Sequence, residues 1–381
     1  MSSALRVELP GRTDWLEVVR ELGPGFAAAA ARHDADDSFV AENFRALKAR
    51  RVLSAGVPGE LGGGDATYRE LADMLRTLAG YCGSTALTLA MHCHPLALLA
   101  WRWRHEQAPV EPLLRRIAAE ELQLVSSGGS DWLPGSGTAR KVEGGFEISG
   151  TKRFASGSPV GDLLMTCAIH DDPESGPTVL HFGVPLKGPN VRLVDNWRAM
   201  GMRGTGSGDV VVEGLFLGEG AIGVRRPAGK WHRLFHIIAM VAIPLIYAVY
   251  VGVAEKAREI GLEQARRRGD GDPDLPYLVG EMENELTLAR LALDDMVALA
   301  ESAEPGPATT SRVLARRTLA GRSAIRTVEA AFTLCGGAAF RRDHPLERLF
   351  RDVQGARFHP LQEKAQLWLT GREAMGLPID R

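Results

Sequence analysis

The sequence predicts three successive domains: helical over 1–122, β over 123–225, and a helical bundle over 226–381. Three observations carry this. The first third repeats apolar residues at three- and four-residue spacing. The middle third breaks short alternating runs with Gly, Ser and Pro. The last third holds long apolar and amphipathic stretches.

"ENFRALKARRVLS" and "YRELADMLRTLAGYCGSTALTLAMHCHPLALLAWRW" carry the helical spacing of the first domain. Between them "AGVPGELGGGDAT" is a Pro/Gly loop, with Thr67 placed to cap the next helix. In the middle, "GGFEISGTKRFASG" alternates like a strand, a turn and a second strand, and "TVLHFGVPL", "VRLVDNW" and "GDVVVEGLFLG" are further strands. Such a block predicts a small β-barrel or sandwich. No helix interrupts it, which excludes a βαβ nucleotide fold. Beyond Lys230 the chain is helical again, with loops at "GDGDPDLP" and "SAEPGPATT". "SRVLARRTLAGRSAIRTVEAAFTLCGG" predicts an amphipathic helix stopped by Gly336 and Gly337.

The composition removes several classes. A formal net charge of -2 leaves no basic excess for nucleic acid. Four scattered cysteines, none in a CxxC pair, build no disulfide framework and fit a reducing compartment. The first residues show no basic start followed by an apolar core, so the expected location is the cytoplasm. The segment 234–254 is long enough to span a bilayer. His236 and Pro244 interrupt it and amphipathic sequence extends it, so the expectation is a core helix and no membrane span. So apolar a helix also predicts a homo-oligomer, a tetramer or dimer. His92 and His94 in "MHCH" do not share a helix face, and no nearby ligand set completes them, so no metal site is expected.

Four stretches, in order along the chain, resemble the acyl-CoA dehydrogenase superfamily of flavoproteins. They are "VPGELGGGDATYRELADMLRTLA", "SSGGSDWLPGSGTARKVEGGFEISGTKRFASG", "MGMRGTGSGDVVVEGLFL" and "CGGAAFRRDHPLERLFRDV". The resemblance implies an acyl-CoA dehydrogenase-like fold and an FAD cofactor (FMN if the protein belongs to the monooxygenase branch). It implies that Ser126 or Ser127 stands for a flavin-contacting Thr. It places Phe154 and Ser156 beside the flavin and the Gly336–Gly337 turn against the cofactor's nucleotide half. Arg203 falls near substrate. The glycines of "MGMRGTGSGDV" precede a strand and not a helix, so they read as a structural turn and not a phosphate loop.

Desaturation of an acyl thioester, the superfamily's commonest activity, needs a base for the α-proton while the flavin takes a hydride. The usual carboxylate position falls on Pro360 or Gln362, and neither is a base. Glu363 is the nearest carboxylate. His359 instead resembles flavin-dependent monooxygenases of the same fold, where a His polarises the reacting oxygen or a substrate hydroxyl. Two readings follow from the resemblance. One is α,β-dehydrogenation of an acyl-CoA or carrier-bound thioester, with Glu363 as base and an electron-transfer flavoprotein as partner. The other is a two-component monooxygenase acting on a small molecule, with His359 in the site and a flavin reductase as partner.

Overall fold

The computed structural model describes residues 13–269 and 271–380. Five helices come first: α1 (Trp15–Asp36), α2 (Ala41–Ala49), α3 (Tyr68–Tyr81), α4 (Gly83–Glu106) and α5 (Glu111–Glu120). Thr67 caps α3 as its position predicts. Its Oγ1 accepts from Glu70 N at 3.2 Å, and the Glu70 carboxylate accepts from Thr67 N at 2.8 Å, a reciprocal capping box.

Eight strands follow: β1 (Leu124–Ser126), β2 (Thr138–Val142), β3 (Gly145–Lys152), β4 (Leu163–Asp172), β5 (Gly176–Pro185), β6 (Val191–Val194), β7 (Asp209–Gly218) and β8 (Val224–Pro227). They pair in the order β6-β7-β3-β2-β4-β5-β8, and β1 joins β4 in parallel. One apolar cluster draws Val125, Phe146, Ile148, Leu164, Leu180 and Val212 from five of these strands.

The expected strand–turn–strand in "GGFEISGTKRFASG" is not formed. β3 runs unbroken to Lys152, with a register shift between Ile148 and Gly150 against β7. Gly150 allows this, because a Cβ there would meet the Gly137 backbone at 2.8 Å. Ala155 then leaves the strand by donating its N–H to Gly208 O.

The chain closes with α6 (Arg233–Arg268), α7 (Leu275–Ser302), α8 (Pro307–Cys335), α9 (Pro345–Val353) and α10 (Glu363–Ala374). α6 is long and apolar enough to cross a membrane, but it lies in the middle of the helical core. It packs on α7 and α8 of its own domain and on α3 and α4 of the first. That contact is close. A Cβ at Gly252 of α6 would lie 2.0 Å from Arg76 O of α3. One apolar core therefore joins the two helical ends of the chain, with the sheet against α4 through β1.

Candidate active site

A cavity of about 420 Å³ opens where α4, α6, the sheet and the loop before α10 meet. Much of its wall is apolar, with Leu98, Leu113, Ile238 and Ile243 among its residues. Besides Arg102, the polar groups in and just behind its wall come in three sets.

The first set is histidines. α4 sends two side chains to β1. His92 Nδ1 accepts from Leu124 N at 2.9 Å, and its Nε2–H reaches Leu53 O at 2.7 Å. His94, two residues on, shares a 2.9 Å hydrogen bond between Nε2 and Ser126 Oγ. The i, i+2 spacing that rules out a shared metal on a helix suits two anchors on a strand, whose repeat is two. His94 lines the cavity, as does His359 from the loop before α10. His359 Nε2 lies 2.6 Å from Tyr250 Oη, and its carbonyl accepts from Arg317 Nη2 at 2.7 Å. Arg317 also reaches Ala356 O at 3.2 Å, so it ties down the loop that carries His359. Burial pushes His94 and His359 down to about 3, so both imidazoles are neutral at neutral pH.

The second set surrounds Asp131. Its carboxylate accepts from Thr166 Oγ1 at 2.7 Å and Lys152 Nζ at 3.1 Å, and from the hydroxyls of Ser127 and Ser136. Lys152, 1% exposed, also donates to Ser136 O at 2.7 Å. This is a buried ion pair with its hydrogen-bonding capacity filled, which is how buried charges persist.

The third set is His181 of β5 and Arg226 of β8. Arg226 Nε donates to His181 Nε2 at 3.0 Å. The guanidinium also donates to Leu133 O at 2.6 Å and Trp132 O at 3.0 Å, and it lies 4.4 Å from the centre of the Phe235 ring.

The structure therefore brings Ser126, Ser127 and His359 together in one wall. The other candidates lie elsewhere. Glu363 begins α10, 41% exposed, and pairs with Arg322 on α8, Nε to Oε2 at 3.0 Å. That pairing holds its carboxyl below the usual range. Arg203 donates to Ala199 O at 3.0 Å and Asp34 O at 3.1 Å, which ties the β domain to α1. Ser156 is buried and joins Ser207 Oγ at 2.7 Å. Phe154 has φ 58° and is 56% exposed, edge-on to Trp197. Gly336 and Gly337 end α8 at the surface, with nothing within 4 Å of a Cβ at either. Among the described residues no group of three or more His, Cys, Asp or Glu could hold a metal ion.

His94, Asp131, Lys152, Tyr250, His181 and Arg226 are absent from the sequence-derived candidates. For His94 a signal was present in "MHCH", once read against a strand and not against a metal. The others are single residues on separate elements, joined only by the fold.

Two family descriptions match this chain: "Acyl-CoA dehydrogenase, middle domain" over residues 126–215 and "Acyl-CoA dehydrogenase, C-terminal domain" over 244–363. Together they span more than half of it. The chain belongs to the acyl-CoA dehydrogenase family. Within that family it is similar to the amino sugar nitrososynthase RubN8 of Streptomyces rubradiris, 30% identical over 94% of this chain and 88% of that protein. The amino sugar nitrososynthase DnmZ of Streptomyces peucetius is 28% identical over 91% of this chain and 89% of its own. The structure of KijD3 in complex with FMN and dTDP-3-amino-2,3,6-trideoxy-4-keto-3-methyl-D-glucose superposes with a TM-score of 0.89. It is 28% identical and covers 98% of this chain and 96% of that one. The family's acyl-CoA dehydrogenase fold thus frames a cavity with His94, His359, Asp131 and His181 in its wall.

Proposed function

We propose that this protein is a two-component flavin-dependent monooxygenase that oxidises a small molecule, with an amine nitrogen as the favoured target. One observation carries the reading. Asp131 is the only carboxylate in the cavity wall among the described residues, and it is committed to Lys152, Thr166 and two serines. α-Proton abstraction needs a free base with a pKa near the working pH, usually a carboxylate in this superfamily, and His94 and His359, held near 3, are too weak to replace it. The cavity offers neutral imidazoles instead. The nitrososynthase relatives support both the oxygenase chemistry and the nitrogen target.

The residues present fit a flavin. Trp132 Nε1 is a buried donor in the cavity wall without a partner among the described residues. The uncovered Phe154 ring offers a stacking face, and Gly336 and Gly337 leave room for close backbone approach. By the family resemblance, Ser126 and Ser127 in the wall and Phe154 and Ser156 outside it would hold the ring side, and the surface turn Gly336–Gly337 the phosphate side, of FMN or FAD. Reduced flavin supplies the activation of dioxygen. His359, held by Tyr250, and His94, held by Ser126, offer hydrogen bonds to the reacting oxygen or the substrate in a water-poor wall. A flavin reductase is the implied partner. Glu363, on the surface and paired, takes no part in this reading. The exposed rings of Phe340 and Phe358 suit a homo-oligomeric contact.

Anaerobic addition of short-, medium- and long-chain acyl-CoAs to flavin-loaded protein tests the assignment. The visible flavin band is expected to stay. Bleaching would replace this reading with thioester dehydrogenation.

A further inference from the structure

We propose that His181 and Arg226 form an oxyanion-recognition site at one end of the cavity, so that the substrate joins an apolar body to a carboxylate or phosphoryl group. The proposal rests on the cavity being the substrate site.

The partner of His181 decides which of its ring nitrogens holds the proton. A guanidinium can only donate. Arg226 Nε donates to His181 Nε2, so that nitrogen is the acceptor and the imidazole proton sits on Nδ1. His181 lines the cavity, and its Nδ1 makes no hydrogen bond to a described residue. Nδ1 is not fully buried, and the cavity that His181 lines is the space beside it. Burial, aided by the Arg226 charge, pushes His181 down to about 3. The ring therefore presents the same N–H donor throughout the neutral range.

The charge behind it is unbalanced. Arg226 is 1% exposed, and its hydrogen bonds go to an imidazole and to backbone carbonyls. It forms no ion pair among the described residues. The nearest buried carboxylate, Asp131, is paired with Lys152. At the same end, Arg102 lines the cavity and shares Glu106 with Arg233. Behind the wall, the two buried cations Lys152 and Arg226 thus have one carboxylate between them, Asp131. A guanidinium hydrogen-bonded to the far side of an imidazole polarises its Nδ1–H toward a negative acceptor. The remaining wall, with Leu98, Leu113, Ile238 and Ile243, suits an apolar body.

Calorimetric titration of the purified protein with octanoate, octyl phosphate and octanol tests this. At least one of the two anions is expected to bind about tenfold or more tightly than octanol, as a charge-assisted hydrogen bond allows. Which anion wins identifies carboxylate or phosphoryl as the source. In His181→Leu the preference should collapse, and in His181→Asn, which returns an N–H near the Nδ1 position, it should partly recover. Equal binding of all three ligands, no binding of either anion, or a preference that survives in His181→Leu would overturn the proposal. Should the variants fail to fold, nitrogen-15 NMR of wild-type His181 decides. A neutral ring protonated on Nδ1 is expected at pH 7, and a proton on Nε2 would overturn it. None of these outcomes depends on oxygenase activity, which the flavin experiments test separately.

Discussion

The Tyr250 hydroxyl and His359 Nε2 lie 2.6 Å apart, joining the middle of α6 to a loop 109 residues later in the chain. Tyr250 is itself fully buried, and Arg317 fixes the loop backbone from the other side. The imidazole is thus held by its ring and by its carbonyl. Tyr250→Phe removes only the ring contact. Peroxide release from protein-bound reduced flavin is expected to rise by about tenfold, the equivalent of one lost hydrogen bond of 1–1.5 kcal/mol. His359→Ala should give at least as large a rise. A peroxide assay under controlled oxygen reads both. Unchanged release in both variants would remove His359 from the oxygen chemistry.

Glu363→Gln should do little. Its pair with Arg322 is exposed on both sides, so stability should change by less than about 1 kcal/mol. Flavin consumption should also be unaffected. Denaturant titration and a reductase-coupled assay check the two halves. A large loss of turnover would return Glu363 to the chemistry.

Lys152→Met should be severe. It leaves the Asp131 carboxylate buried without its cation, which typically costs about 3–5 kcal/mol. The double variant Asp131→Asn with Lys152→Met removes both charges and should recover part of that loss. Urea unfolding of the two variants measures it. Additive losses in the double variant would show that the pair is not coupled.

The order of domains was legible in the sequence because periodicity reports burial directly. The apolar run of α6, the Gly-broken strands and the Thr67 cap each have a local cause. The site was legible only in part. Ser126, Ser127 and His359, named through the family resemblance, share the cavity wall. His181 and Arg226 gave no sign, because each is an ordinary strand residue whose meaning comes from the β5–β8 register, which pairs His181 with Val224. The strand–turn–strand expectation for 144–157 fails at Gly150, where no turn forms. It marks instead a bulge within one strand.

The neutral histidines predict acid sensitivity. His92 is held near 4, and His94, His181 and His359 near 3, all by burial, against 6.5 when unfolded. Between those limits the unfolded chain binds more protons, so stability rises with pH there. The stability these residues contribute is complete above about pH 6.5 and is lost as pH falls toward 4 and 3. Asp352 acts in the opposite sense. Burial raises it to about 6, so it favours the folded state most below pH 4. Glu121, also raised by burial, acts with Asp352, and four histidines against these two carboxyls should leave a net loss on acidification. Thermal melts across pH 4–7 should show it, with a shallower slope in His94→Gln. A flat profile would mean that these rings are not neutral and buried in solution.

In the proposed function the protein works on flavin delivered in reduced form. An anaerobic titration comparing reduced with oxidised FMN and FAD tests it most directly. Reduced flavin is expected to bind at least about tenfold more tightly than oxidised flavin, a difference of about 1.4 kcal/mol. Tighter retention of the oxidised form, together with its reduction by an acyl-CoA, would contradict the account.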